Sequence, residues 1–313
     1  MTEDNILVEP DRLWNKVVEQ TEYARQCGAL QSIETDYQFI EQDGISFLVR
    51  TLSNLARKEQ VQKQRKQIEK QTNQKFDPFL PYEEDLFVGD ISPTHLCLLN
   101  KFNVVDRHLL IVTRDFEDQE NWLNLADFQA LWVCMQEIDC LAFYNGGKIA
   151  GASQRHKHLQ VIPLPFISEE CYLPIEPAIA TAVFNDSFGT IPKFPFRHAI
   201  ALLNLTQSDS ITKTAQKMLA CYHSLLQAVG LEIDSKNQVQ SGAYNMLVTK
   251  EWMTIVPRSQ ESFSSISINS LGFAGSLFVR DREQIKLLQE ITPMTVLSKV
   301  SFPKQGEFGV SSS

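Results

Sequence analysis

The 313-residue sequence lacks long apolar stretches, since no run reaches the roughly 18 residues that a membrane-spanning helix needs. Its acidic N-terminus, Met1 to Asn5, lacks the apolar core of a secretory signal. The six cysteines are scattered, and no two of them form a C-x-x-C pair. We therefore expect reduced thiols rather than a disulfide framework, in a cytoplasmic protein.

Positive charge is also scarce. The chain has 29 Lys and Arg residues against 38 Asp and Glu residues, which gives a net charge of −9 and a pI of about 5.3. This balance disfavours general nucleic-acid binding, although it leaves room for a local basic pocket. An apolar content of 43% is ordinary for a globular protein.

The residues best suited to chemistry form the motif H-x-H-x-Q at positions 156–160. Side chains alternate between faces in an extended chain, so His156, His158 and Gln160 are predicted to share one face. The small-residue turn Gly151–Gln154 precedes them and lets backbone N–H groups approach a ligand closely. A row of imidazoles beside such a turn suits a phosphate held against a nucleophile.

The spacing alone leaves other interpretations open. Two histidines two residues apart could be ordinary surface or core residues, or they could be metal ligands. A metal-dependent hydrolase would need a third ligand, and no short-range pattern such as H-E-x-x-H or C-x-x-C supplies one.

Further segments accompany the motif in a fixed order, and they extend from about Gly44 to Arg280. They are Asp77–Tyr82, Leu99–Phe102, Tyr144–Gly147, Gly151–Gln154, Tyr244–Leu247, Trp252–Met253, Val256–Ser259 and Leu271–Gly275. Together with the motif they resemble the diadenosine tetraphosphate phosphorylase (ATP adenylyltransferase) family. That family belongs to the histidine-triad superfamily and is related to galactose-1-phosphate uridylyltransferase.

The resemblance implies reversible phosphorolysis of diadenosine tetraphosphate by phosphate to ATP and ADP, through an AMP–histidine intermediate. It assigns the nucleophile to His158, a choice that geometry alone does not make, and sets His156 and Gln160 beside it as catalytic residues. A glutamine stands where triad hydrolases carry a third histidine. Since an amide donates hydrogen bonds but exchanges no proton at neutral pH, we expect transfer to an anionic acceptor rather than hydrolysis.

The resemblance also implies the surroundings of the nucleotide and phosphate. The binding residues that it suggests are Asn100, Lys101, Asn145, Gly147, Ser153, Gln154 and, on a looser match, Lys58. It requires no cofactor, although a divalent cation complexed with the nucleotide is compatible with it. We expect small-molecule partners only, namely dinucleoside polyphosphate, ATP, ADP and phosphate, with no nucleic acid and no membrane.

Two alternatives to this activity stay open at the level of sequence. Adenosine 5′-phosphosulfate phosphorylase activity would use the same adenylyl intermediate and the same site. A non-catalytic nucleotide sensor would keep the pocket, but the intact motif argues against one.

Residues 57–75 concentrate positive charge, with seven basic residues against two acidic ones. Charge runs are usually solvated loops, and this segment has few apolar residues to bury. The alternative is a flap that attracts the polyphosphate, with Lys58 reaching a phosphate.

The pattern of helices and strands predicts an α+β fold with a mainly antiparallel sheet, because short connections between consecutive strands favour antiparallel pairing and parallel pairs need longer crossovers. Helices are predicted over 11–27, 124–139 and 212–229, and strands over 44–52, 94–99, 108–113, 140–144, 156–162, 196–203, 244–249 and 252–256. The other four histidines, His95, His108, His198 and His223, are interpreted as structural.

We expect two histidine-triad-like modules in one compact body. The predicted divisions are an N-terminal docking helix and lead-in at 1–43, a catalytic module at 44–165 with the basic loop 57–75, a proline-rich connection at 166–195 and a second module without H-x-H at 196–313. The order strand, helix, strand, strand recurs in both modules, and Tyr144-Asn145 is echoed by Tyr244-Asn245.

Overall fold

A computed structural model describes residues 6–7, 12–52, 76–167, 172–185, 188–206, 208–233 and 237–304. The basic segment 57–75, and with it Lys58, lies outside the described residues, as does Cys171. No helix in the part of the chain that the structure describes has the length and apolar character needed to cross a membrane.

The helices are α1 Leu13–Gln26, α2 Leu125–Glu137, α3 Glu176–Ile179, α4 Ile211–Ala228, α5 Ser270–Phe273, α6 Arg282–Ile291 and α7 Pro293–Lys299, with short 3-10 turns at Glu84–Leu86 and Lys148–Ala150. The strands are β1 Thr35–Gln42, β2 Ile45–Leu52, β3 Phe87–Ser92, β4 His95–Leu99, β5 Leu109–Thr113, β6 Cys140–Gly146, β7 His158–Pro163, β8 Val183–Asn185, β9 Phe188–Thr190, β10 Ala199–Leu202, β11 Tyr244–Val248, β12 Trp252–Pro257, β13 Ser262–Phe263, β14 Ile266–Ser267 and β15 Ser276–Val279.

Ten of these strands form one antiparallel sheet in the order β3-β4-β5-β7-β6-β11-β12-β10-β9-β8. The strand order of the first half repeats in the second, outward from the central pair β6 and β11, where Asn145 lies opposite Asn245. The helix before the central strand repeats too, as α2 and α4. The α+β, mainly antiparallel fold is thus confirmed, whereas the residue boundaries of the two modules stay a prediction.

The alternation of side chains along the strands separates two hydrophobic cores. Leu159 and Val161 of β7 face a core that includes α1, α2 and α4. Ile162 of the same strand faces the second core, together with β2, β15 and the C-terminal helices. Because His158 and Gln160 have the parity of Ile162, they lie on the second face.

The proline-rich connection predicted at 166–195 contains regular structure of its own. It contains α3 and the strands β8 and β9, which complete one edge of the large sheet. The strands β8 and β9 have three residues each, which is too short for an alternating or helical pattern to be detected in a proline-rich segment.

Lys157 links the motif strand to α2 from the helix-covered face. Its side chain is fully buried, and its Nζ lies 2.6 Å from Asp127 and 3.0 Å from Glu117. His95 lies 3.0 Å from the other oxygen of Asp127, so its structural interpretation is sound. Burial alone would raise the pKa of Asp127, but the His95 hydrogen bond and the Lys157 charge lower it overall.

The same carboxylate also closes the N-terminus of α2. Asn124 accepts from the backbone N–H of Asp127 as the N-cap, and the Asp127 side chain accepts from the backbone N–H of Asn124. The cluster of His95, Asp127, Lys157 and Glu117 therefore fixes where the motif strand begins.

Replacing Lys157 by alanine should destabilise the fold by about 3–5 kcal/mol, because the buried Asp127 carboxylate loses its cation. Urea unfolding of the variant and of the unmodified chain measures the difference. Lys286→Ala removes an exposed lysine of α6 and serves as the control, with an expected change below about 0.5 kcal/mol. A loss below about 1 kcal/mol for Lys157→Ala would contradict the proposed importance of this cluster.

Candidate active site

A cavity of about 460 Å³ opens on the second face of the sheet, beside β7. Seven of the residues selected from the sequence line it: Asn100, Lys101, Asn145, Ser153, Gln154, His158 and Gln160. Residues from the C-terminal part of the chain complete the wall, among them Leu271, Phe278 and Arg280. The cavity therefore lies between the first half of the large sheet and the C-terminal segment that includes α5 and β15.

His158 lines this cavity, and its Nε2 has no hydrogen-bond partner among the residues that the structure describes. Its Nδ1 lies 2.7 Å from the main-chain oxygen of His156, and a carbonyl accepts, so Nδ1 carries the proton. The lone pair then resides on Nε2. Burial lowers the pKa of His158 to about 4, against the opposing effect of the hydrogen bond to His156. The ring is consequently neutral at physiological pH.

The backbone of His158 is held by Gln119, a residue that the sequence analysis did not select. Gln119 Oε1 accepts from the His158 N–H at 2.9 Å, and its Nε2 donates to the His158 oxygen at 3.2 Å. The same Nε2 donates to the main-chain oxygen of Asn145 at 3.0 Å. Gln119 thus fixes His158 and Asn145 relative to each other. The sequence around Gln119 has no local pattern from which this role could have been predicted.

His156 does not line the cavity beside His158, although the alternation of side chains predicted a shared face. The strand begins only at His158, and the ring of His156 turns into the protein, where it is 1% exposed. Its Nδ1 lies 2.8 Å from Asp77 Oδ2 and its Nε2 2.7 Å from the main-chain oxygen of Thr113. Both nitrogens face acceptors and are thus occupied. The link from His156 to the cavity is its carbonyl, which orients His158.

Asp77 also places an aromatic ring over the pair. Its second oxygen accepts from the N–H of Phe79 at 2.9 Å. The ring of Phe79 then lies 5.6 Å from the ring of His156 and 5.4 Å from that of His158. This contact contributes to the burial of both imidazoles, and the ring of Phe116 also packs against His156.

Gln160 is oriented by a histidine that was interpreted as purely structural. Asn100 Nδ2 lies 3.2 Å from His108 Nδ1, and His108 Nε2 lies 3.0 Å from Gln160 Oε1. An amide nitrogen only donates, so His108 Nδ1 accepts and its Nε2 donates to Gln160. Gln160 thus directs its NH₂ group to the cavity. The structural interpretation of His108 missed this role.

Asn145 is held in the same way. Its Oδ1 accepts from the backbone N–H of Ser270 at 2.9 Å, from the Ser270 hydroxyl at 2.7 Å and from Asn245 Nδ2 at 2.9 Å. The oxygen is fully used, so the NH₂ group faces the cavity that Asn145 lines. Two amide donors, from Gln160 and Asn145, therefore point into one space with the neutral ring of His158.

The turn before the motif requires glycine at one position. Gly151 has φ of +89°, and a Cβ there would lie 2.7 Å from the main-chain oxygen of Ile268. Gly147 has φ of +88° and begins the 3-10 turn that leads to Gly151. Gly147 does not line the cavity, so its contribution is to the path of the chain rather than to the wall.

The remaining selected residues differ in their surroundings. The Nζ of Lys101 is 2.7 Å from Glu83, an ion pair at the cavity wall. Lys58 lies outside the described residues, so its contact with phosphate stays a prediction. Leu52 and Pro78 are described residues on either side of the basic segment, and both line the cavity.

The histidines do not have the arrangement of a metal site. Within the described ranges, no group of three His, Cys, Asp or Glu residues is arranged to hold a metal ion. Both ring nitrogens of His156 are also within hydrogen-bond distance of protein atoms, Asp77 Oδ2 and the main-chain oxygen of Thr113.

The sequence matches two models of known protein families. The model described as the Ap4A phosphorylase N-terminal domain matches residues 3–181, and that of the ATP adenylyltransferase C-terminal domain matches residues 192–303. The chain belongs to the Ap4A phosphorylase family. Together the two matches span both halves of the large sheet and the residues that line the cavity.

Relatives of known name agree. Diadenosine 5′,5‴-P1,P4-tetraphosphate phosphorylase 2 of Saccharomyces cerevisiae is 33% identical over 237 residues, which are 68% of this chain and 72% of that protein. The protein APA1 of the same yeast is 29% identical over 256 residues, 74% of this chain and 78% of that protein.

A solved structure shows the same fold. The crystal structure of yeast Ap4A phosphorylase Apa2 superimposes with a TM-score of 0.77 at 26% identity, over 97% of this chain and 98% of that one. The structure of Apa2 in complex with Ap4A gives a TM-score of 0.77 at 26% identity, over 96% of this chain and all of that one.

The lowered pKa of His158 predicts its titration. The ring should stay neutral and protonated on Nδ1 from about pH 5.5 to pH 8, because burial shifts its midpoint to about 4. Nitrogen-15 NMR of the histidine side chains measures both the tautomer and the midpoint. A midpoint near the ordinary value of 6.5, or a proton on Nε2, would contradict the described geometry.

Proposed function

We propose that this protein catalyses the reversible phosphorolysis of diadenosine tetraphosphate, in which phosphate converts it to ATP and ADP. The observation that carries the proposal is the neutral His158 ring, with Nε2 directed to a cavity that also receives the amide donors of Gln160 and Asn145. The family membership and the activity named for the yeast relatives support the choice of substrate.

The first step forms the AMP–protein intermediate. His158 Nε2 attacks the α-phosphorus of one adenosine, the new P–N bond forms, and the bond to the bridging oxygen breaks so that ATP leaves. The leaving group is a polyphosphate oxyanion, which needs no proton at neutral pH. A glutamine at position 160 is therefore sufficient, since its role is to donate a hydrogen bond rather than a proton.

The second step returns the histidine. An oxygen of phosphate attacks the same phosphorus, the P–N bond breaks, and ADP forms. In the transition state, negative charge lies on the oxygens of the transferred phosphoryl group, between the bond that forms and the bond that breaks. Preorganised hydrogen-bond donors aimed at these oxygens lower the barrier most. The NH₂ groups of Gln160 and Asn145, with Ser153 and Gln154 on the cavity wall, supply such donors.

His156 acts on this reaction through His158. Its carbonyl fixes the tautomer of the nucleophile, and its ring is anchored by Asp77 and Thr113. It is proposed as a positioning residue, and the nucleophile is His158. The nucleotides and phosphate are the proposed partners, and the negative net charge agrees with the expected absence of nucleic-acid binding.

The assignment of the nucleophile predicts different outcomes for the two histidines. His158→Gly should abolish formation of the AMP–protein adduct, because it removes the imidazole whose Nε2 lone pair is directed to the cavity. His156→Ala should slow the reaction but still form an acid-labile adduct. Incubation with radiolabelled diadenosine tetraphosphate in the absence of phosphate, followed by gel analysis, measures the adduct.

His223→Ala changes an exposed histidine of α4 and is the control, with unchanged adduct formation expected. An adduct that survives His158→Gly and disappears with His156→Ala would reverse the assignment. Products of the unmodified chain, resolved by chromatography, test the substrate, with adenosine 5′-phosphosulfate included to test the alternative activity.

A further inference from the structure

Asn145 has an orientation that the protein fixes from behind. A backbone N–H can only donate, so the hydrogen bond from Ser270 N assigns the facing atom of Asn145 as its oxygen. The NH₂ group of Asn145 is left for the cavity, and no described residue accepts from it. The groups that donate to this oxygen therefore also determine that Asn145 presents its NH₂ group, with its partial positive charge, to a phosphate in the cavity.

Asn245 holds that oxygen from the second half of the sheet. It lies directly opposite Asn145 across the central strand pair, with its Nδ2 2.9 Å from Asn145 Oδ1. Its own Oδ1 accepts from Arg258 Nη1 at 2.6 Å. A guanidinium only donates, so the orientation of Asn245 is fixed as well. Donation thus runs in one direction, from Arg258 through Asn245 and Asn145 to the cavity.

Arg258 is a buried cation, 2% exposed. Within the described ranges it has no ion pair, and its guanidinium donates to main-chain oxygens instead, those of Ala150, Gln260, Glu261, Ile268 and Val300. Burial lowers the pKa of Arg258 to about 9, against the opposing charge of Glu261, and this leaves it charged at neutral pH. Its charge acts through a protein interior where screening is weak.

The repeated strand order gives this arginine a counterpart. In the first half, Gln160 lies opposite Phe143, and Phe143 comes two residues before Asn145. In the second half, Arg258 lies opposite Ala243, and Ala243 comes two residues before Asn245. The backbone N–H of Arg258 donates to the Ala243 oxygen at 2.8 Å. Arg258 thus occupies the position that Gln160 has in the half that carries the histidines, and it is directed back towards that half.

We infer that Asn245 and Arg258 are positioning residues, which fix and polarise the Asn145 amide so that its NH₂ group stabilises the negative charge on the transferred AMP phosphate. The inference rests on the proposed function. The half of the sheet without H-x-H therefore contributes to catalysis by electrostatics. A donor held in place before the reaction costs no reorganisation when charge develops, and the loss of one such donor lowers kcat by about 10²–10³.

Asn245→Asp tests the relay while keeping the shape of the side chain. The carboxylate still accepts from Arg258, but it cannot donate to Asn145 Oδ1, and two acceptor oxygens then face each other. The Asn145 amide keeps its hydrogen bonds from Ser270, but it faces a repelling oxygen where it had a donor, so its orientation is weakened. We expect kcat for phosphorolysis to fall by about 100-fold, with a KM changed by less than about threefold and an intact fold by thermal unfolding.

A double-mutant cycle separates positioning from a general effect on the fold. Asn145→Ala removes the donor itself, so Asn245→Asp should lower kcat by less than about threefold further in that background. Ser270→Ala removes only one of three donors to Asn145 and should cost less than Asn245→Asp. Asn185→Asp adds the same charge on the exposed edge strand β8 and is the control, with unchanged kcat expected.

An Asn245→Asp variant with the kcat of the unmodified chain would overturn the inference while leaving the proposed function intact. Independent, multiplied losses for Asn245→Asp and Asn145→Ala in the double variant would overturn it too. An unmodified chain that does not convert diadenosine tetraphosphate would contradict the proposed function and, with it, this inference.

Discussion

The hydrogen bond from His158 Nδ1 to the carbonyl of His156 is the contact on which the site depends. It assigns the lone pair of the ring to Nε2, and Nε2 is the atom directed to the cavity. Burial then keeps the ring neutral by lowering its pKa to about 4. Around this bond the protein fixes the carbonyl itself, since the ring of His156 is anchored at both nitrogens by Asp77 and Thr113.

The two halves of the ten-stranded sheet repeat one strand order but supply different residues to the site. The first half supplies the histidines and Gln160, and its opposite face buries Lys157 against Asp127. The second half supplies Asn245 and Arg258 beside the central strands. A continuous antiparallel sheet joins them, so a residue of one half can be held by hydrogen bonds from the other without a mobile interface.

The parts of this site that were predictable from sequence are those encoded by local pattern. Alternation along β7 correctly placed His158 and Gln160 on one face, and Asn124 correctly marked the start of α2. Alternation does not reveal which distant residue a side chain meets. Asp77 is 79 residues from His156, and His108 is 52 residues from Gln160. The departure of His156 from the strand likewise depends on those distant partners.

The stereochemical course at phosphorus tests the central claim, a covalent intermediate on His158, most directly. Diadenosine tetraphosphate with sulfur in place of one oxygen at the α-phosphorus is chiral there, and phosphorus-31 NMR identifies the configuration of the ADP analogue produced. Two successive in-line displacements, by His158 and then by phosphate, each invert the centre, so the account predicts overall retention. Overall inversion would mean that phosphate attacks the substrate directly, and it would contradict the account.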